Sequence, residues 1–405
     1  MAENRSLSPM EAVDEYFDML IKSRFIEMFQ NSNYSSVHLS NVLNQYYVPE
    51  KIDKPELESY ITLSSYGKGI KKREIKEGKT PVPFTGCRIK AGQFVSSRLH
   101  AKEGAFGLVP DELDGSVVSR DFPVFDIDIK QINPKYLLAA VSHESFYQQF
   151  LNDSFGSTTK RRIKEDIFLE YSIILPPLDK QNEYVSFLEH IERTETVFKK
   201  YLNLLDLLVK SRFIEMFGAF HPITELEDVC MFVKRGKSAT YADSSDYYIV
   251  GQACIRLDCI EFNRVRCMDS SKYSDEYVLK FGDVLVNSTG VGSLGRCNAF
   301  YNPDGRVYFT DSHVTILRLK MNLMDPLFVK YYLTQNGVQA DIYRKCVNGS
   351  TNQIELNRGT LAHFLVPVPP LELQNQFADF VRRVDKSTWK RSKWMLPEKL
   401  LGDSI

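Results

Sequence analysis

The octapeptide KSRFIEMF occurs twice in the chain, at residues 22–29 and again at residues 210–217. Two other motifs are also repeated: PPL followed by QN at residues 176–182 recurs at 369–375, and GST at 156–158 recurs at 349–351. The two octapeptides are nearly as far apart in the chain as the two copies of each other motif. Two diverged segments of nearly equal length therefore lie between matching ends, and such an internal repeat determines the architecture.

The repeats give the chain a circularly permuted order. If B is the segment ending in KSRFIEMF and A is the segment beginning at Pro-Pro, the chain reads B, lobe 1, A–B, lobe 2, A. Lobe 1 covers residues 31–177 and lobe 2 covers 218–370, with helical segments at 1–30, 178–217 and 371–405. With the terminal A and B side by side, the molecule would close into a ring of approximate twofold symmetry.

A heptad pattern of apolar residues runs through the central segment: Tyr184, Phe187, Ile191, Phe198, Tyr201, Leu205 and Leu208. The alternating spacing of three and four residues predicts a coiled-coil helix, and Pro-Pro just upstream suits its start. A helix over 179–217 would be about 60 Å long at 1.5 Å per residue. Its narrow apolar stripe needs a partner, which the two terminal half-helices would supply by lying antiparallel along it. The alternative is a pair of ordinary globular helices.

Both lobes have the pattern of one α+β fold with different loops. Runs such as 124–128 and 314–319 are typical of strands, and Asn133-Pro134 and Asp325-Pro326 are typical helix starts. Two pairs of positions match between the lobes at one common offset, Gly92 with Gly282 and Asp121 with Asp311. The predicted fold class is α+β: two similar lobes separated by an antiparallel coiled coil of long helices, in a pseudo-twofold circular arrangement.

The composition is that of a folded protein of two or three domains. The 405 residues are 43% hydrophobic and 25% charged, which excludes disordered and collagen-like chains. No run of 18 apolar residues occurs and Met1–Arg5 starts no signal peptide, so we expect neither a membrane nor a secreted protein. Seven scattered cysteines favour reduced thiols in the cytoplasm. The net charge of −1 leaves nucleic acid binding to charge placement.

No catalytic or metal-binding group of residues is recognisable. NPKY at 133–136 lacks the second proline of the adenine methyltransferase loop, and GVGSLG at 290–295 lacks the βαβ context of a dinucleotide site, so it is interpreted as a strand-to-strand loop. Glu74-Ile75-Lys76 lacks the aspartate of a nuclease. The cysteines at 254, 259 and 267 lack paired zinc spacing, and His313 has no nucleophile motif near it.

Basic residues are concentrated in predicted loops. Ten lie between Tyr66 and Lys102, against Glu74 and Glu77, and further clusters occupy 160–164 and 234–237. Basic loops with glycine and hydroxyl residues suit a phosphate backbone, and Arg or Asn side chains can read base edges. The alternative is a set of solvated loops with surplus lysines. The candidate DNA-binding residues are Lys68, Lys71, Lys72, Arg73, Arg98, Lys102, Arg161, Arg162, Lys234, Arg235, Lys237, Asn287, Ser288 and Arg296.

Over nearly its whole length the chain resembles the specificity subunit of type I restriction-modification systems. The resemblance is carried by the segment order, the GST and PPLxxQN motifs, the KSRFIEMF ending and GDVLVNSTG at 282–290. It implies two target recognition domains that each read half of a bipartite double-stranded DNA target, and spacer helices between them. It also implies no catalytic or metal site.

The resemblance further implies docking of two adenine methyltransferase subunits and, through them, of restriction-translocase subunits. S-adenosylmethionine, ATP and Mg²⁺ would bind to those partners, and no cofactor would bind to this chain. Two other hypotheses remain open: a symmetric protein-binding scaffold and a stand-alone DNA-modifying enzyme. The tail beyond Lys386, with Trp389 and Trp394, departs from the heptad pattern and indicates a protein contact.

Overall fold

The computed structural model describes residues 9–65, 69–75, 82–152, 162–219, 221–269, 274–290, 292–349 and 354–384. The chain divides into two compact units. The lobe 1 unit is Tyr16–Glu195, and the lobe 2 unit is Met1–Glu15 with Thr196–Ile405. The predicted contact residues Lys68 and Arg161, the GST motif at 156–158 and the tail after Val384 lie outside the described residues. Within the described part, no helix is both long and apolar enough to cross a membrane.

The central segment forms one continuous helix of 40 residues over the predicted range. In chain order the helices are α1 (Pro9–Phe25), α2 (Pro134–Ser142), α3 (Glu144–Asn152), α4 (Glu165–Glu170), α5 (Leu178–Phe217), α6 (Pro326–Leu333), α7 (Asn336–Cys346), α8 (Arg358–Ala362) and α9 (Leu371–Val384). Helix α1 continues into a π-helical turn at Ile26–Gln30. Helices α2 and α6 begin as predicted, because the carboxamide of Asn133 and the carboxylate of Asp325 accept hydrogen bonds from backbone N–H groups of the first turn.

Each lobe contains eleven short strands among the described residues. Those of lobe 1 are β1 (Ser36–His38), β2 (Leu43–Tyr46), β3 (Pro49–Ile52), β4 (Ile61–Leu63), β5 (Ile70–Lys72), β6 (Phe84–Arg88), β7 (Phe94–Ser96), β8 (Phe106–Leu108), β9 (Val117–Val118), β10 (Val124–Ile127) and β11 (Ser172–Ile174). Those of lobe 2 are β12 (Ile223–Glu225), β13 (Cys230–Arg235), β14 (Tyr247–Val250), β15 (Arg266–Cys267), β16 (Val284–Asn287), β17 (Cys297–Ala299), β18 (Val307–Thr310), β19 (Val314–Leu319), β20 (Val347–Asn348), β21 (Glu355–Leu356) and β22 (Leu365–Pro367).

The two lobes share a scaffold and differ in a second layer. An antiparallel sheet of order β2-β10-β7-β8 in lobe 1 corresponds to β13-β19-β16-β17 in lobe 2, and the β1-β11 pair corresponds to β12-β22. The remaining sheets differ. Lobe 1 has an antiparallel β3-β6-β9 sheet and a β4-β5 hairpin, whereas lobe 2 has a β15-β14-β18 sheet in which β14 and β18 are parallel. The predicted α+β fold class with two similar lobes is confirmed.

The terminal helices pack antiparallel to α5, as predicted. In the lobe 1 unit, the Tyr184 hydroxyl donates a hydrogen bond to the Ile21 carbonyl, and the side chains of Arg24 and Glu183 form an ion pair. In the lobe 2 unit, Asp14 of α1 forms an ion pair with Lys199 of α5, with 2.6 Å between the Asp14 Oδ1 and Lys199 Nζ atoms. Helix α9 also packs against α5 in the lobe 2 unit, where the residue pairs Phe217–Phe377 and Arg212–Phe380 run in opposite chain directions.

The repeated octapeptide ends in an equivalent aromatic cluster in each unit. The rings are Phe25, Phe29, Tyr136 and Tyr184 in the lobe 1 unit, and Phe213, Phe217, Phe328 and Phe377 in the lobe 2 unit. Edge-to-face contacts dominate, with centroid distances of 5.1 Å for Phe29–Tyr136 and 4.7 Å for Phe217–Phe328. In both units the two phenylalanines of the octapeptide therefore pack against segment A and against the helix that begins with the Asn-Pro or Asp-Pro motif, which is α2 in lobe 1 and α6 in lobe 2.

A buried glutamine fixes each lobe to the start of segment A. Gln181 accepts a hydrogen bond from the Asn133 amide at 2.7 Å and donates to the carbonyls of Gln131 and Pro176. Its repeat partner makes the same three bonds: Gln374 accepts from the Asp325 amide at 2.9 Å and donates to the carbonyls of Leu323 and Pro369. Neither glutamine is exposed to solvent. Below, these two residues are called the paired glutamines.

Two sequence predictions about register are corrected. The predicted stripe members Tyr201 and Leu208 are 58% and 48% exposed, and the buried apolar residues of that part of α5 are Leu202, Val209 and Phe213. The buried face thus shifts by one position between Ile191 and Leu202 relative to the predicted stripe, because 3.6 residues per turn does not keep a strict heptad register.

The second correction concerns the predicted equivalence of Asp121 and Asp311. The Arg98 amide donates to the Asp121 carbonyl, whereas the amide of Ser288 donates to the His313 carbonyl. Ser288 corresponds to Arg98 by the same offset that relates Gly282 to Gly92. Asp121 is therefore equivalent to His313.

Candidate DNA interface

In lobe 2, a basic segment begins at the end of β13, an edge strand of the four-stranded sheet. Lys234 and Arg235 end β13, and Gly236 and Lys237 follow directly. A glycine is required at 236 because an added Cβ would lie 2.3 Å from the Asp311 carbonyl oxygen and 2.4 Å from that of Thr310. The close backbone contact holds Lys237 beside Asp311, with which it forms an isolated parallel bridge. The predicted cluster at 234–237 is therefore rigidly placed.

Arg235 lies in a groove of about 640 Å³ formed with β20, β21 and the start of α8. Its guanidinium pairs with Glu355 and donates to the Leu356 carbonyl at 2.7 Å. Burial lowers the pKa of Arg235, and its Nε has no hydrogen-bond partner in this buried position. Arg358 and Asn357 also line the groove. Besides the Arg235–Glu355 pair, the groove thus offers the cation of Arg358 and the amide of Asn357, which suit an anionic backbone.

Lys234 and Lys237 share an aromatic neighbour on the adjacent loop. The Lys237 Nζ lies 4.7 Å from the centroid of Tyr277, and Lys234 Nζ lies 6.0 Å from it. Lys234 also pairs with Glu276, and this hydrogen bond lowers the pKa of the Glu276 carboxyl. Lys234 is thus engaged by a carboxylate, whereas Lys237, held over the ring by cation–π attraction, can direct its outward N–H donors toward a phosphate.

Asn287 and Ser288 are placed differently from their prediction as loop residues open to a ligand. Asn287 ends strand β16, and the side chains of both residues are fully buried. Asn287 donates to the Gln252 carbonyl, and Ser288 shares a hydrogen bond of 2.7 Å with Thr315. In this conformation neither side chain reaches the surface, so neither is placed to contact a base directly. They support the loop that carries Arg296.

Arg296 remains in the connection between β16 and β17, which is the strand-to-strand loop predicted from GVGSLG. Its guanidinium donates to the Gly292 carbonyl at 3.0 Å, and its own carbonyl accepts a hydrogen bond from the Asn287 amide. Gly290, Gly292 and Gly295 have φ angles of 95°, 79° and 77° in this loop, a backbone region that favours glycine.

In lobe 1 the main basic element is the β4–β5 hairpin. Lys71 and Lys72 lie on β5 and Arg73 directly follows it, and all three side chains are exposed. The hairpin crosses β8 closely at Gly107, where an added Cβ would lie 2.9 Å from Ile70 Cγ1. The predicted residues Lys71, Lys72 and Arg73 are therefore brought together on one surface element.

The other predicted residues of lobe 1 are partly engaged in ion pairs. Arg98 is half-buried, pairs with Glu165 and accepts a backbone hydrogen bond from the Ile163 amide. Arg162, next in the chain to Ile163, is exposed and lies 3.5 Å from Asp121. The structure thus brings Arg98 and Arg162 together, and it places Lys102 in the exposed turn that follows β7.

One group of potential metal ligands occurs among the described residues: Glu225, Glu227 and His363. The His363 ring nitrogen is 2.7 Å from Glu225 and 3.4 Å from Glu227. The hydrogen bond to Glu225 raises the pKa of His363. An imidazolium–carboxylate pair accounts for this geometry. The cysteine at 254 is buried, and burial raises its pKa to about 11, which fits its interpretation as a core residue.

Several residues of the site have no signal in the sequence. Tyr277 and the carboxylates of Glu276 and Glu355 pair with basic residues that are distant in the chain. The paired glutamines were visible as part of a repeated motif, but their role was not. Only the spatial arrangement reveals these partners, because ion pairs between loops leave no periodic signal.

Duplicated α+β lobes on a shared helical segment, each with basic loops beside the same four-stranded sheet, define a two-lobed recognition protein. The chain matches the family described as type I restriction modification DNA specificity domain at residues 45–205 and 223–400. The protein therefore belongs to this family, and the resemblance seen in the sequence is confirmed. The family description names DNA specificity and no catalytic activity, in agreement with the prediction of a non-catalytic specificity subunit.

The similar proteins are distant. The type I restriction enzyme MjaVIII specificity subunit of Methanocaldococcus jannaschii is 22% identical over 268 residues, which cover 59% of this chain and 62% of that protein. A second protein of that organism, provisionally named the MjaX specificity subunit, is 25% identical over 40% of this chain and 39% of its own length. The chain thus spans less than two thirds of either relative.

A solved structure that concerns complex assembly and conformational transition of the type I R-M system matches with a TM-score of 0.53 and 18% identity, covering 91% of this chain and 94% of that one. At this identity the similarity concerns the fold.

Proposed function

We propose that this protein is the specificity subunit of a type I restriction-modification complex, in which each lobe reads one half of a bipartite DNA target. The main support is the combination of one repeated scaffold with two different second layers. Both lobes keep the same four-stranded sheet, whereas the β3-β6-β9 and β15-β14-β18 sheets differ in order and direction. A duplicated scaffold with diverged surfaces suits the recognition of two different half-sites.

The DNA would contact lobe 1 through the basic hairpin and lobe 2 through the groove beside β13. Lys71, Lys72 and Arg73 are exposed on one element, and each phosphate contact contributes about 0.9 to the slope of log affinity against log salt. Charge reversal of all three should therefore weaken binding and reduce the salt slope by about 2 to 3. Unchanged DNA binding together with intact complex assembly would instead support the protein-scaffold hypothesis.

The methyltransferase subunits would dock on the helical segment. Four apolar side chains of α5 are 48–65% exposed at spacings of four, three and four residues: Val197, Tyr201, Leu204 and Leu208. A continuous apolar stripe on a helix is a typical partner-binding surface. Replacing Val197 and Leu204 by lysine should abolish copurification of a methyltransferase subunit, whereas lysine at the exposed polar position Asn203 of the same helix should not.

S-adenosylmethionine, ATP and Mg²⁺ would be held by the methyltransferase and restriction-translocase subunits. This chain would contribute the choice of DNA sequence and the placement of its partners. The purified chain alone should then leave DNA unmodified. Modification of DNA by the isolated chain would overturn this proposal in favour of a stand-alone enzyme.

The decisive experiment is to coexpress the chain with an adenine methyltransferase subunit and to sequence the modified adenines of the host DNA. The expected result is a bipartite motif with a fixed number of unread base pairs between its halves. The matched control is the chain with charge reversal at Lys71, Lys72 and Arg73, which should lose modification while still copurifying with its partner. Modification at random positions, or none with an active methyltransferase present, would refute the proposal.

A further inference from the structure

An arginine of lobe 2 is stacked on a tyrosine at an exposed sheet edge. The guanidinium carbon of Arg266 lies 3.5 Å from the centroid of Tyr241, the shortest such separation among the described residues. Arg266 is exposed, and Tyr241 retains 41% of its exposure. Stacking covers one face of a guanidinium and leaves its in-plane N–H donors unobstructed, which is the geometry needed for a bidentate hydrogen bond.

Arg266 differs from its basic neighbours in having no ion pair with a carboxylate among the described residues. Arg256 and Arg264 both pair with the buried Glu261, at 3.1 and 2.5 Å, and Arg306 pairs with Asp304 at 3.4 Å. The buried Asp311 carboxylate interacts electrostatically with Arg266 and already accepts a hydrogen bond from the His313 amide. Arg266 thus shares a hydrogen bond with the Tyr241 side chain but pairs with no carboxylate among the described residues, so the other N–H groups of its five-donor fork remain for a ligand.

The backbone around this pair is fixed on both sides. Arg266 lies on the edge strand β15 and pairs with Ile249 of β14. Met268 forms a bridge with Tyr241. Below the strand, the side chains of Ile249, Met268 and Phe309 form a small buried core. A rigid edge strand places a side chain more accurately than a mobile loop, and accurate placement is a condition for discriminating between bases.

This sheet is also the part of lobe 2 that lobe 1 does not repeat. Lobe 1 has its antiparallel β3-β6-β9 sheet and a basic hairpin instead of the mixed β15-β14-β18 sheet. Two lobes that read different sequences must differ at the residues that touch the bases. Arg266 and Tyr241 thus lie in the layer where the difference is expected.

We propose that Arg266 is a base-reading residue of lobe 2, which recognises the O6 and N7 acceptors of a guanine in the major groove, and that Tyr241 is its positioning residue. The inference rests on the proposed function and goes beyond it by naming a residue and its base. An arginine with a free, oriented fork is the side chain best matched to guanine.

The test measures binding of the coexpressed methyltransferase complex to synthetic duplexes that carry the mapped motif, with every base pair of each half changed in turn. In Arg266→Lys, the charge is kept and the bidentate fork is lost. Discrimination at one G·C pair of one half-site should fall about 10- to 100-fold, and all other positions should be unaffected. Tyr241→Phe keeps the aromatic ring and should retain the discrimination of the wild-type chain at this G·C pair. Tyr241→Leu removes the ring and should lose part of that discrimination.

The matched control is Arg306→Lys. Arg306 also lies over a tyrosine of this sheet, 4.9 Å from the centroid of Tyr248, but it is paired with Asp304. This variant should keep the full motif. An unchanged motif in Arg266→Lys would overturn the inference, and so would an equal loss of affinity for all duplexes, which identifies a phosphate contact. If the wild-type complex reads no defined sequence, the proposed function fails together with the inference. A motif that changes in Arg306→Lys and not in Arg266→Lys refutes the inference alone.

Discussion

Replacing Gln374 by leucine tests whether the paired glutamines hold each lobe on its helix. Gln374 is completely buried and makes three hydrogen bonds to the backbone, with the Asp325 amide at 2.9 Å and the carbonyls of Leu323 and Pro369 at 3.0 and 2.8 Å. Leucine has a similar volume, so the substitution removes polar contacts and creates little cavity. The expected effect is therefore that of unpaired backbone groups in a dry site.

The size of this effect follows from the three bonds. Each contributes about 1 kcal/mol net, and a buried donor left without a partner costs about 1–3 kcal/mol. We expect the Gln374→Leu variant to lose about 3–5 kcal/mol of unfolding free energy. Gln181→Leu should lose a similar amount, because its three bonds are equivalent and measure 2.7, 3.0 and 2.8 Å.

The measurement is hydrogen exchange followed by mass spectrometry, because it reports on each unit separately. Gln374→Leu should accelerate exchange in peptides of β16 and β19 and leave those of β7 and β10 unchanged, and Gln181→Leu should do the reverse. The control is Gln376→Leu, two positions along α9, where the side chain is exposed. If Gln374→Leu lost less than about 0.5 kcal/mol, which is the usual range of surface substitutions, the assigned role would be refuted.

Two further predictions concern the basic hairpin and a histidine pair. In Gly107→Val, the added Cβ would lie 2.9 Å from Ile70 Cγ1 and displace the hairpin. DNA affinity, measured by titration, should therefore fall by about as much as is expected for charge reversal at Lys71. An affinity equal to that of the wild-type chain would contradict this. The pKa of His363 is raised above 6.5 by Glu225; the pair therefore stabilises the fold below pH 6.5 and loses this effect as pH rises through the raised pKa, and NMR titration should show the pKa returning toward 6.5 in Glu225→Gln.

The fold was largely predictable because its strongest signals are local or repeated. The heptad spacing predicted one helix over the range of α5, and Asn133-Pro134 predicted the start of α2. The octapeptide repeat predicted equivalent ends, which form the two aromatic clusters. These signals need no knowledge of distant contacts, since helix periodicity and capping depend on residues a few positions apart.

The site was less predictable because contacts between segments that are distant in the chain decide which of its side chains are exposed and which are already paired. Asn287 has the chemistry of a base reader, but the packing of β16 between β17 and β19 buries it. Arg235 was correctly placed in a basic segment, yet its partner Glu355 lies 120 residues further along the chain. Composition cannot separate a cation that is free from one that is already paired.

This pairing also bears on how a protein of net charge −1 would read DNA under the proposed function. Several predicted contact residues are neutralised within the chain, including Arg98 by Glu165, Lys234 by Glu276 and Arg235 by Glu355. Phosphate neutralisation supplies most of the sequence-independent affinity for DNA, so internal carboxylates lower that background. Under the proposed function, affinity for the correct sequence would then depend more strongly on oriented donors such as Arg266, which pairs with no carboxylate among the described residues. A low background and a few such donors give a high ratio of specific to non-specific binding, and this ratio determines whether a target is found among many competing sites.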